Sequence, residues 1–236
     1  MSIKMTIFSC MFARSLIRTQ RNVLVLIGLF LFFGGQTYVS ADEYSLAEID
    51  FMQDEPSLQR GAIIYHNTCR VCHGMKFIRY KNFMDIGFTK EQIDKLRGKQ
   101  QVNATLTKTV KDNVLTDYYG QVPPDLSLMA KARKNGPRYI YTLLTSYTYS
   151  EKDGVYNNTL FEDIKMPDIM NISTAEEDSH IQAIHQDVKD VSEFLLWASD
   201  PHAAERKNTG YFVVGYFIIL SLLLYFVMKR TWSKLD

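Results

Sequence analysis

The sequence predicts a mainly α-helical domain followed by a single membrane-spanning helix at its C-terminal end. Three observations indicate this architecture: two segments with amphipathic helical spacing, scarce strand signals, and two apolar runs on either side of a polar middle. The 236 residues suffice for one or two domains once a targeting segment is removed.

A first helix is predicted over residues 56–68, where a proline occupies the first turn and Leu58, Ala62 and Tyr65 recur on one face. Gly61 lies inside this segment and costs about 1 kcal/mol in helix stability relative to Ala. A glycine in a helix interior indicates that another element approaches closely. We therefore expect a second element to pack against this helix at Gly61.

A second helix is predicted over residues 185–199 and is followed by an Asp-Pro pair that ends it. Further short helices are predicted over residues 125–134 and 137–146, and residues 98–121 are expected to be rich in loops. The apolar stripe of the second helix consists of Val188, Val191, Phe194, Leu195, Trp197 and Ala198.

The strongest chemical signal is the motif C-x-x-C-H, formed by Cys69, Cys72 and His73. Two thiols at this spacing can form thioethers with the two vinyl groups of one porphyrin, and the adjacent imidazole can then bind the iron. A thioredoxin-like redox pair should lie in a βαβ unit, and no such pattern surrounds this motif. A structural zinc site needs four ligands, whereas the third cysteine of the chain, Cys10, lies far away near the N-terminus. The motif therefore predicts one covalently attached haem c.

Residues 1–41 have the order of a secretory signal peptide. They contain four basic residues and no acidic one, an apolar run over residues 23–33, and the small-residue cleavage pattern Val39-Ser40-Ala41. An uncleaved membrane anchor and a mitochondrial presequence are the alternatives. With the leader removed, residues 42–207 form the predicted haem domain, which we expect in the periplasm.

The second apolar run covers residues 211–228, eighteen positions without a charge. It would span about 27 Å as a helix, slightly less than a hydrocarbon core of about 30 Å. Lys229, Arg230 and Trp232 can cover the deficit by snorkelling and aromatic anchoring. Residues 208–236 are therefore predicted to form a transmembrane anchor with a short cytoplasmic tail.

The net charge of +1 hides an asymmetry along the chain. Residues 42–205 contain 25 Asp and Glu against 18 Lys and Arg, a net charge of −7. The remaining residues contain nine basic side chains and one acidic side chain. The exported domain is therefore acidic, which argues against a nucleic-acid partner and favours a basic protein partner.

A helix ahead of C-x-x-C-H and an aromatic-bearing helix at the domain's end are similar to the class I cytochrome c fold, in which the two helices cross at a small residue. Most of the chain after the leader resembles one family more specifically, the cytochrome c1 family. Its members are the haem subunit of the cytochrome bc1 complex (ubiquinol–cytochrome c reductase). The segments that carry it, in family order, are Ser57-Leu58-Gln59-Arg60-Gly61-Ala62, Met75-Lys76-Phe77, Arg79-Tyr80-Lys81-Asn82, Pro123-Pro124-Asp125-Leu126-Ser127, Lys131-Ala132-Arg133, Leu143-Leu144-Thr145, Met166-Pro167 and Phe194-Leu195-Leu196-Trp197-Ala198.

The resemblance implies an electron-transfer subunit that takes electrons from a Rieske iron–sulfur protein and passes them to a soluble cytochrome c. Its partners would be cytochrome b and the Rieske subunit, and quinol oxidation would belong to the assembly rather than to this chain. The stretch between Thr89 and Gln121 is shorter than in mitochondrial members, which favours the bacterial inner membrane over the mitochondrial one. An anchored haem subunit of a terminal oxidase and a haem peroxidase are the alternative functions.

The resemblance also implies that Met166, stiffened by Pro167, is the sixth ligand of the iron. Met170 is the second candidate, because Met75 is too close to His73 to reach the opposite face and Met129 is a more natural core residue. Ligation by two histidines is a rival. The segment beginning at Pro123 is expected to pack near His73, where one of its carbonyl groups would fix the imidazole ring.

Overall fold

The computed structural model describes residues 45–151 and 154–233. The helices are α1 (Glu55–Asn67), α2 (Lys90–Arg97), α3 (Asp112–Tyr119), α4 (Gly136–Thr145), α5 (Asp178–Ala198) and α6 (Ala203–Trp232). The strands are β1 (Met75–Arg79), β2 (Thr105–Leu106), β3 (Tyr147–Ser150) and β4 (Val155–Asn158), and β1–β2 and β3–β4 are separate antiparallel pairs. The predicted leader lies outside the described residues.

The fold is built around the crossing of α1 and α5. A methyl group added at Gly61 would overlap the carbonyl oxygen of Asp190 and would lie 2.8 Å from Cβ of Phe194. The two backbones can therefore approach this closely only because position 61 has no side chain. The predicted close approach at Gly61 is confirmed.

An aromatic cluster fills the space next to this crossing. The ring of Phe194 on α5 lies 5.6 Å from Tyr65 on α1, 6.0 Å from Phe83 and 5.7 Å from Trp197, measured between centroids. Phe83, which comes from the 3₁₀ segment Tyr80–Ile86, has no exposed surface. Buried aromatic pairs at these spacings add about 0.5–1.5 kcal/mol each beyond the area that they bury.

The crossing also holds a buried charge. Asp190 is fully buried, and its two carboxylate oxygens accept hydrogen bonds of 2.5 and 3.0 Å from the guanidinium of Arg60. Gln186 donates a further hydrogen bond to the same carboxylate. A carboxylate at this depth would be costly without such partners, so this network keeps the α1–α5 contact in one register.

Three of the four helices predicted for the haem domain are present. The helices predicted over residues 56–68 and 137–146 correspond to α1 and α4, and the one over 185–199 corresponds to α5. The helix α5 begins seven residues before its predicted start, and Ile184 within these added turns is buried in the core.

One sequence prediction for the middle of the chain is wrong, and a second is incomplete. The helix predicted over residues 125–134 is wrong, because this segment forms turns. Residues 98–121, expected to be rich in loops, contain β2 and also α3, an eight-residue helix in which Leu115 alone is buried. One buried position in a helix produces no amphipathic pattern, which explains why the sequence did not predict α3.

The helix α6 is long and apolar enough to cross a membrane. The stretch Glu205–Trp232 has 28 residues, and no part of its most apolar window is buried against the rest of the chain. At about 1.5 Å per residue it reaches about 42 Å, more than a hydrocarbon core.

Just before α6, the carboxylate of Asp200 accepts hydrogen bonds from Arg206 and Lys131. These interactions hold the pKa of Asp200 down to about 2.

The helix crossing yields a stability prediction. Gly61→Ala adds a methyl group that intrinsic helix propensity would favour by about 1 kcal/mol. We expect it instead to lower the free energy of unfolding by about 3 kcal/mol, because the methyl group collides with the backbone of Asp190. Gly210→Ala on α6 is the control, since an added methyl group there meets no atom within 4 Å. Thermal unfolding measures both variants, and a more stable Gly61→Ala protein would contradict the close crossing.

Candidate haem-binding cavity

The C-x-x-C-H motif folds into a tight turn directly after α1. Residues Cys69–Val71 form one 3₁₀ turn, in which the amides of Cys72 and His73 donate to the carbonyl of Cys69 at 3.2 and 2.9 Å. The turn places both thiols and the imidazole on the wall of one cavity. The local backbone therefore brings together the three side chains that the motif predicts.

Neighbouring segments hold this turn in place. The hydroxyl of Tyr65 on α1 donates to the carbonyl of His73 at 3.0 Å. Arg70 donates through Nε to the carbonyl of Thr107, and its own carbonyl accepts from the amide of Thr109 at 3.1 Å. The turn is thus fixed from the α1 side and from the segment that follows β2.

The imidazole of His73 has a defined hydrogen-bond partner. Its Nδ1 lies 2.8 Å from the carbonyl oxygen of Pro124. Because a carbonyl can only accept, Nδ1 carries the proton and Nε2 keeps its lone pair. Burial lowers the pKa of His73 and favours the neutral ring, which is the form that binds metals. The predicted contact between His73 and a carbonyl of this segment is confirmed.

The segment after Pro124 is fastened to the strand that follows the motif. The amide of Leu126 donates to the carbonyl of Gly74 at 2.9 Å, and the carboxylate of Asp125 accepts from the amides of Lys76 and Ser127, each at 2.9 Å. These bonds satisfy the backbone outside a helix, which is the physical reason why the helix predicted here does not form.

The cavity itself is about 630 Å³ in volume, within the range of about 300–1,000 Å³ that small-molecule and cofactor sites occupy. Much of its lining is apolar, with Ile140, Leu143 and Leu144 from α4 and Val191 and Leu195 from α5. The remaining lining residues are Asn67, Thr68, Cys69, Val71, Cys72, His73, Tyr119, Gln121, Pro123, Pro124, Leu126, Met129, Arg133, Tyr139, Phe161, Ile164, Lys165, Met166, Pro167 and Ile169.

Met166 lies on this cavity, in the loop between β4 and α5. Met129 also lines it, whereas Met170 packs against the core without being among the lining residues. Met75 is fully buried in the core. The methionine preferred from the sequence therefore shares a cavity with Cys69, Cys72 and His73, and Met129 is an additional candidate that sequence reasoning assigned to the core.

The side chain of Cys69 is buried, and that of Cys72 is half-buried. Burial raises the pKa of Cys69 to about 12, and burial also raises the pKa of Cys72, with nearby Lys108 opposing the shift. Catalytic redox pairs depend on the opposite shift, which stabilises a thiolate. Within residues 45–151 and 154–233, no three His, Cys, Asp or Glu side chains form a group that could hold a metal ion. The raised pKa values of the two thiols weigh against the redox interpretation of the motif.

Two basic residues of the cavity were missed by sequence reasoning. Arg133 and Lys165 are the two lining residues with a permanently cationic side chain. Arg133 lies in a segment that carries the family resemblance, and Lys165 directly precedes Met166. Neither residue belongs to a periodic pattern or a motif in the sequence. The two residues come together at the cavity only in the folded chain.

The residues of the cavity fit a c-type haem. The two thiols suit its vinyl groups, and the His73 nitrogen and the Met166 thioether are ligands that haem iron accepts. The apolar walls suit the macrocycle, and the cations of Arg133 and Lys165 suit its two carboxylates. The lining residues are therefore chemically compatible with a bound haem.

Comparison with known proteins gives a consistent result. A family model described as the Cytochrome C1 family matches residues 44–235. The chain is 29% identical to cytochrome c1 of Cereibacter sphaeroides, over 93% of this chain and 96% of that protein. It is also 29% identical to cytochrome c1 of Rhodospirillum rubrum, over 90% and 96% respectively. A mitochondrial cytochrome c1 heme protein of Arabidopsis thaliana is 30% identical, over 77% of this chain and 68% of that protein.

Proposed function

The chain belongs to the cytochrome c1 family, and on that premise we propose that it is the membrane-anchored c-type cytochrome of a ubiquinol–cytochrome c reductase. It would take electrons from a Rieske iron–sulfur protein and pass them to a soluble cytochrome c. One observation carries the proposal: Cys69, Cys72, His73 and Met166 line a single apolar cavity.

In this proposal Cys69 and Cys72 would attach the haem through thioethers, and His73 and Met166 would hold its iron. Bound haem c supplies a reversible one-electron couple of its iron. The carbonyl of Pro124 orients the imidazole and increases its basicity, as partners of ligating histidines do. The soft thioether of Met166 favours the reduced metal and so raises the reduction potential relative to two histidines.

The rest of the cavity keeps the site suited to electron transfer. Apolar side chains of α4 and α5 would exclude water from the bound haem, and an iron held by both His73 and Met166 would favour electron transfer over oxygen chemistry. These features argue against the haem peroxidase alternative. A C-terminal anchor argues against the terminal-oxidase alternative, whose anchored haem subunits commonly carry the anchor at the N-terminus.

We further propose that the haem domain lies in the periplasm of a bacterium, with α6 in the inner membrane and the C-terminus in the cytoplasm. The similarity to bacterial relatives over nearly their whole length supports this location over the mitochondrial inner membrane. The basic tail at Lys229 and Arg230 is consistent with the positive-inside rule. Cytochrome b and the Rieske subunit would be its partners in the membrane.

The axial assignment yields the first test of this function. Met166→Leu removes the thioether, so we expect a markedly lower reduction potential and binding of carbon monoxide to the reduced protein. Met129→Leu tests the other candidate ligand, because it makes the same substitution at the second methionine that lines the cavity. Met170→Leu makes the same substitution at a methionine that does not line the cavity. Redox titration and carbon monoxide spectra identify the ligand, and an unchanged Met166→Leu protein would remove Met166 from the site.

The acidic haem domain yields a second test. With a net charge of −7 over residues 42–205, it should attract a basic cytochrome c, and the run Glu176-Glu177-Asp178 is exposed at the start of α5. Salt screens such attraction beyond about 8–10 Å. We therefore expect the bimolecular rate of electron transfer to fall by about tenfold as ionic strength rises to the physiological range.

Charge-neutralising variants distinguish the effect of this acidic run on docking from the effect of the net charge of the domain. Changing residues 176–178 to the corresponding amides should flatten the salt dependence and leave the haem spectrum unchanged. The control is Asp85→Asn, Glu91→Gln and Asp117→Asn combined, which removes three exposed carboxylates elsewhere. Equal slopes for the two triple variants would show that the run at the start of α5 has no special part in docking.

A further inference from the structure

The loop that carries Met166 is irregular over residues 159–171. In the part of the chain that the structure describes, no backbone–backbone hydrogen bond fastens residues 162–170 to a helix or strand. A loop of this kind would move readily, and an axial ligand must instead be held at a fixed position. Side chains from the surrounding elements must therefore supply the restraint.

Tyr147 supplies such a restraint at Met166 itself. It is the first residue of β3 and is buried, with 5% of its surface exposed. Its hydroxyl donates to the backbone carbonyl of Met166 at 2.9 Å. Tyr147 follows α4 by two residues, and α4 forms one apolar wall of the cavity, so this bond joins the loop to that wall.

Two further side chains fasten the ends of the loop. Asn158 is 1% exposed; its Nδ2 donates to the carbonyl of Leu143 on α4, and its Oδ1 accepts from the amides of Leu160 and Phe161. On the other side of Met166, Oδ2 of the buried Asp168 accepts from the amide and hydroxyl of Ser173. The Tyr147 hydroxyl is thus the central one of three attachments and contacts the ligand-bearing residue directly.

We propose that Tyr147 is a positioning residue for the sixth ligand: its hydrogen bond to the Met166 carbonyl holds the thioether in the cavity. The inference rests on the axial role proposed for Met166. Removing the hydroxyl should leave the loop in place on average and allow Met166 to leave the iron more often.

Tyr147→Phe in the full haem-loaded chain tests the proposal, because it removes the hydroxyl and keeps the ring. The loss of one such hydrogen bond should increase the methionine-dissociated population about fivefold. Carbon monoxide can bind the reduced iron only from that population, so its rate of combination should rise about fivefold. The charge-transfer band of methionine-ligated ferric iron should weaken at a lower temperature in this variant than in the parent protein.

Tyr141→Phe is the matched control. Tyr141 is also buried, and this variant loses the hydrogen bond of 2.8 Å between its hydroxyl and Nδ1 of His185. That bond does not involve the Met166 loop. We expect a comparable fall in thermal stability and no change in the rate of combination with carbon monoxide. Equal acceleration in the two variants would mean general loosening and would overturn the positioning role.

The Met166→Leu protein separates the positioning role from the ligand assignment. If Met166→Leu binds carbon monoxide rapidly and Tyr147→Phe behaves as the parent protein, the positioning role fails and the ligand assignment stands. If Met166→Leu does not bind carbon monoxide, the ligand assignment fails and the positioning role fails with it.

Discussion

The close crossing of α1 and α5 at Gly61 is the contact that positions the other parts of the haem domain. It brings the aromatic cluster around Phe194 together and buries the ion pair between Arg60 and Asp190. The C-x-x-C-H turn follows α1 by two residues, and α5 forms a wall of the cavity. The same crossing therefore sets the distance between the attachment turn and the opposite wall.

The cavity is assembled from segments that lie far apart in the sequence, and each is held by specific hydrogen bonds. The turn after α1 provides the thiols and His73, the Pro124 segment fixes the imidazole, and the loop after β4 provides Met166. Turns and loops supply the functional side chains, while α4 and α5 supply rigid apolar walls. This division suits electron transfer, in which the cofactor environment should change little between oxidised and reduced states.

The sequence was informative wherever the signal is local. The spacing of Cys69, Cys72 and His73 predicted the attachment turn, and helical periodicity with the interior Gly61 predicted the crossing of α1. Sequence reasoning failed where a side chain satisfies the backbone outside a helix, as Asp125 does, and where an exposed helix such as α3 buries one residue. It also missed Arg133 and Lys165, because their shared position depends on the folded chain.

Covalent attachment of haem at Cys69 and Cys72 is the proposal on which the functional assignment depends. It is tested by denaturing the purified protein, extracting it with acidified acetone, and recording the alkaline pyridine spectrum of the polypeptide and of the solvent. We expect stoichiometric haem on the polypeptide, with a spectrum typical of two saturated vinyl groups. Haem recovered in the solvent, with a bare polypeptide, would contradict covalent attachment.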